Sequence, residues 1–204
     1  MLQIKFLDSL NGPPSVACFQ CVIITNMLLH PAFVHFPIAL LTLYAVCELV
    51  WIKRLRQNIS WFWFKLGLLF FGALSSIVTY QTGKMAAQVL GGSRLVYLHG
   101  SFALATVWYF CILAFFYLVD AVIRGVFPTS LNLKITAFIE KYSLVRKVWE
   151  IILTFKDFIM DSGFLWTFAL IGLALVTITG ALGGAIAFGP DVDPMVRIVY
   201  NLFF

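Results

Sequence analysis

His30-Pro31-Ala32-Phe33-Val34-His35-Phe36-Pro37 leads directly into Ile38 to Ile52, a run whose one charged residue is Glu48. An apolar stretch of that length reads as a membrane-crossing helix, so both imidazoles stand where the chain enters the bilayer. The only other histidine, His99, opens the third apolar run. Ionisable groups at membrane depth are costly and face a bundle interior or a cavity, which makes the histidines functional candidates.

The rest of the composition agrees. Of 204 residues, 62% are hydrophobic and 11% charged, far from the balance of a soluble domain. The formal charge of +5 therefore reports membrane topology, not nucleic acid. Cys47 and Cys111 fall inside apolar runs as small core residues, and Cys18-x-x-Cys21 lacks the second pair that a zinc site needs.

Taken in order, residues 1–27 read as a poorly structured or dispensable leader, because Asn11, Gly12, Pro13 and Pro14 break an early helix. Residues 28–204 form one membrane domain. Its spans are expected at about 32–52, 61–83, 95–123 and 163–188, with Trp51, Trp61 and Trp63 as an interfacial belt. Lys65 is placed to snorkel towards the basic side. Asp120 is expected to pair with Arg124, and Glu48 with Lys53 or a neighbour. Between spans three and four, Ile135, Phe138, Ile139, Tyr142, Val145 and Trp149 recur at helical spacing among lysines and arginines. The segment 131–160 thus reads as an amphipathic helix on the cytoplasmic face. Asp193-Pro194 has the form of an N-cap and first-turn proline for a short last helix.

The loops after spans one and three, with Lys65, hold ten Lys/Arg, against four elsewhere. That bias puts those loops in the cytoplasm and both termini outside, in the cell (cytoplasmic) membrane. All three histidines then share the outer leaflet.

His35-x-x-x-Ala39-x-x-Thr42 is matched by His99-x-x-x-Ala103-x-x-Thr106, and Thr79 to Gly83 by Thr179 to Gly183. The expectation is a two-hairpin internal repeat about an axis along the membrane normal. In that register His35 and His99 are partners, with Ala39 and Ala103 clearing room beside them. Two imidazoles on opposed helices suit an edge-on b-type haem. Zinc or copper would need a third ligand, for which His30 is the candidate; otherwise His30 meets a haem propionate, lipid phosphate or quinone.

The stretch LHPAFVHFPIALL resembles a family of bacterial membrane proteins, domain of unknown function 2231. Its members enter the first helix with HP-x-x-x-HFPI and carry a later histidine before the third. The resemblance covers roughly residues 28–124 and, more loosely, span four; segment 125–160 departs from it. It implies a four-helix bundle with His30, His35 and His99 as the matching histidines. Relatives joined to c-type cytochrome domains imply electron transfer, although this chain has no C-x-x-C-H of its own.

The expectation is thus an all-α, polytopic four-helix membrane bundle carrying b-haem between His35 and His99. It would link a quinol pool to an outer-face cytochrome or oxidase. No nucleophile–base or acid pair marks it as an enzyme. The alternatives are a transporter or metal-handling subunit using the same polar layer, and a structural subunit.

Overall fold

The computed structural model describes residues 14–204 apart from 51, 126, 127 and 161, with side chains from His30 onward except at 53, 56, 89, 90, 162 and 163. The pair Cys18 and Cys21 lies outside the described side chains. Among the described residues every regular element is helical. The apolar runs fold as α1 (Pro14–Leu49), α3 (Ile59–Leu90), α4 (Arg94–Ile123) and α7 (Ser162–Phe188). Each contains a stretch long and apolar enough to cross a membrane. The short α2 (Lys53–Arg56) lies between the first two. Helices α5 (Thr129–Lys141) and α6 (Ser143–Met160) occupy the amphipathic segment, and α8 (Pro194–Phe203) ends the chain.

Helix ends follow local chemistry. Pro14 lies within α1 as described and does not break it. Residues 14–29 therefore continue the helix that carries the histidines, and residues 1–13 lie outside the described region. Asn58 caps α3 by accepting from the Ser60 amide at 2.8 Å, and Ser93 caps α4. Gly91 closes α3 at φ 79°, a conformation that favours glycine. Asp193 Oδ1 accepts from the Val196 amide at 2.9 Å with Pro194 behind it, as the sequence predicts.

Helix α1 packs against α3 and α7, and α4 packs against the same two. The four long helices thus form a square with α1 and α4 on one diagonal. These meet at the centre through Tyr44, edge-on to Phe110 at 6.4 Å and to Tyr117 at 5.7 Å. Helix α6 lies against α4 and α7, and α8 lies against α7.

Close approach needs small residues where knobs insert. Leu41 of α1 fills the space that a Cβ at Gly72 would take, and Phe110 of α4 does the same at Gly172. Leu41 and Phe110 are 69 residues apart; Gly72 and Gly172 are 100 apart. The same offsets relate other buried pairs on the diagonals: Ala45 to Ala114, Glu48 to Tyr117, Leu69 to Ala169 and Ser76 to Val176. The exposed faces match as well, with Leu43 and Val46 answering Ile112 and Phe115. At these positions the two hairpins, α1–α3 and α4–α7, match in burial and in the contacts of their glycines. The difference of 31 residues between the offsets falls in the connection that holds α5 and α6.

This register corrects the one expected from the sequence. His35 corresponds not to His99 but to Leu104, and both are exposed on the outer surface of their helices. The partner of His99 is His30. Ala39, expected to clear room beside His35, is exposed, while Ala103 is half-buried.

Candidate functional site

At the end of the bundle where α1 and α4 carry their histidines, each hairpin builds the same notch. In the first, a Cβ on Gly83 of α3 would stand 2.9 Å from His30 Cε1. In the second, a Cβ on Gly183 of α7 would stand 3.1 Å from His99 Cε1. Glycine at these two positions is what lets the Cε1 side of an imidazole press against the neighbouring helix.

The hydrogen bonds fix the proton on each ring. Thr179 contributes its backbone carbonyl, an acceptor only, 3.1 Å from His99 Nδ1, so Nδ1 carries the hydrogen. Thr82 donates its own hydroxyl hydrogen to the Thr79 carbonyl at 2.9 Å. Its Oγ1 must therefore accept from His30 Nδ1, at 3.2 Å. In the neutral form of each ring this leaves the unshared pair on Nε2. The nitrogen that could ligate a metal is thus set by the bond the other makes. A further pair of threonines supports the second notch. Thr106 donates to the Phe102 carbonyl at 2.8 Å, which leaves the Thr179 hydroxyl to donate to Thr106 Oγ1 at 3.0 Å.

His35 stands apart from this pair. Its Nδ1 donates to the Pro31 carbonyl one turn back, at 2.7 Å, and the ring is exposed. Among the described residues no three His, Cys, Asp or Glu side chains come together as a metal-binding group. The three histidines thus do not form the His₃ set considered for zinc or copper. The notch residues Thr79, Thr82, Gly83, Thr179 and Gly183 were visible only as a loose match between helix ends. The signal that fixes their register is Leu29-His30-x-x-Phe33 against Leu98-His99-x-x-Phe102.

The opposite end carries charge. Lys65 does not snorkel outward; it is buried and its Nζ lies 2.7 Å from Glu48 Oε1. The carboxylate also accepts a short hydrogen bond from the Tyr117 hydroxyl. Asp120 pairs with Arg124 at 2.5 Å, as the sequence predicts, and Lys156 of α6 approaches the same carboxylate at 3.6 Å. Cys47 and Cys111 are free thiols, buried and half-buried.

No protein-family model matches this chain, and neither characterised proteins nor solved structures give a significant match.

Proposed function

We propose that the protein is an integral membrane subunit that holds a b-type haem between His30 and His99. It would pass electrons between a quinol pool and a redox partner at that face of the membrane. The observation that supports this reading is the pair of equivalent imidazoles, each committed through Nδ1, so that Nε2 of the neutral ring is the nitrogen left to ligate. A bis-imidazole donor set of neutral rings is the chemistry that a low-spin haem iron takes. When bound, haem supplies one-electron chemistry; the protein supplies placement and burial. Gly83 and Gly183 set the depth of the rings, and Thr82 and the Thr179 carbonyl hold their tautomers. His35 passes from ligand to a surface position in this reading, because its counterpart in the repeat is a leucine.

The test is the absorption spectrum of the purified protein, oxidised and then reduced. Wild type is expected to show low-spin b-haem bands, lost in His30→Ala and in His99→Ala and kept in His35→Ala. Gly83→Ala, which pushes on the His30 ring, should lower haem occupancy. Wild type without haem sinks the proposal. Loss of the bands in His35→Ala with retention in His30→Ala would return the ligand role to His35.

A further inference from the structure

At the charged end, two cations are mounted on one stack of rings. Lys65 Nζ lies 5.7 Å from the Tyr117 ring centre, Tyr117 stacks on Phe62 at 5.7 Å and 20°, and the Arg124 guanidinium lies 5.1 Å from the Phe62 centre. Such mounting restricts two long side chains that would otherwise roam. Beside them is a cavity of about 70 Å³, completed by Met160 of α6 and Leu165 of α7.

The lining has an unbalanced hydrogen-bonding character. Arg124 engages Asp120 through Nε, and Lys65 spends one of its three N–H bonds on Glu48. The Tyr117 hydroxyl gives its hydrogen to Glu48. Among the described residues no carboxylate lines the cavity, although Glu48 and Asp120 stand behind it, each paired with one of its cations. What faces the space is therefore a set of donors on two cations, opposite apolar walls. A matching ligand brings several acceptor oxygens, negative charge and an apolar extension. Its place in the repeat explains the asymmetry. Lys65 corresponds to Leu165 and Glu48 to Tyr117, so the charged pair of one hairpin confronts the uncharged counterparts of the other. The site lies far from the histidines, since His99 and Tyr117 are 18 residues apart on α4, about 27 Å along a helix.

We propose that this cavity binds a phosphate group, that of an anionic phospholipid whose acyl chain leaves along Met160 and Leu165. Guanidinium and ammonium groups at the end of long apolar helices are suited to lipid phosphate. Thermal unfolding of the full chain in detergent tests it, with added phosphatidylglycerol, with diacylglycerol of the same chains, and with inorganic phosphate. Phosphatidylglycerol should raise Tm by several degrees and diacylglycerol should not. Arg124→Gln should lose that shift. Leu165→Trp should lose it too by filling the space, while leaving every charge in place should Arg124→Gln fail to fold. A shift produced equally by inorganic phosphate supports the phosphate site and assigns it to the free ion. No shift with either phosphate source, or a shift unchanged in both variants, overturns the proposal.

Discussion

Pro37 has no N–H to offer the Phe33 carbonyl one turn back, and Thr79 of α3 donates its hydroxyl there instead, at 3.2 Å. A helix-breaking residue thereby becomes a cross-link between helices, as unpaired backbone groups in apolar surroundings require. Thr79→Val should cost about 1 kcal/mol of stability, and much less in a Pro37→Ala background, where an amide hydrogen returns to Phe33. Equal losses in both backgrounds, measured by unfolding in mixed micelles, would remove the link between the two residues. A second residue-scale consequence concerns Gly172. A methyl there would stand 2.9 Å from Cζ of Phe110, a rigid ring with no exposure. Gly172→Ala should therefore cost about 1–3 kcal/mol.

The element scale shows why the end of α1 is sensitive. Glu48 and Lys65 bring opposite charges from α1 and α3 into a site where their side chains are 1% and 9% exposed. Lys65→Met alone leaves a buried carboxylate without its cation and should destabilise by about 3–5 kcal/mol; adding Glu48→Gln should recover most of that. Failure of the double variant to recover, in the same unfolding assay, would show that the pair is not what the site depends on. The sequence made the four long helices legible because apolar runs of that length have few other uses. It also foretold Asp120 with Arg124, a neighbour one turn on. It did not foretell Glu48 with Lys65, because the two lie in different helices and only packing decides which faces meet. The pairing of histidines failed for the same reason. A match of His, Ala and Thr at helical spacing shows that residues share a face, but not that the face points inward, and His35 points outward.

For the whole molecule, the ten basic residues gathered at one end predict which side that end occupies. A tag after Phe204 should be reached by reagent added outside intact cells, while residues 129–160 stay protected. The reverse labelling would turn the bundle over and move the histidines to the cytoplasmic side. One further result follows from where the repeat divides. The boundary falls at Gly91-Gly92, both exposed, and every contact that seats an imidazole lies on one side of it. His30 meets Thr82 and Gly83 before the boundary, and His99 meets Thr179 and Gly183 after it. Each half thus holds the contacts that seat its own histidine, and needs its sibling for the central rings. Two polypeptides severed between Gly91 and Gly92, made in the same cell, should find one another and co-purify as a complementing pair.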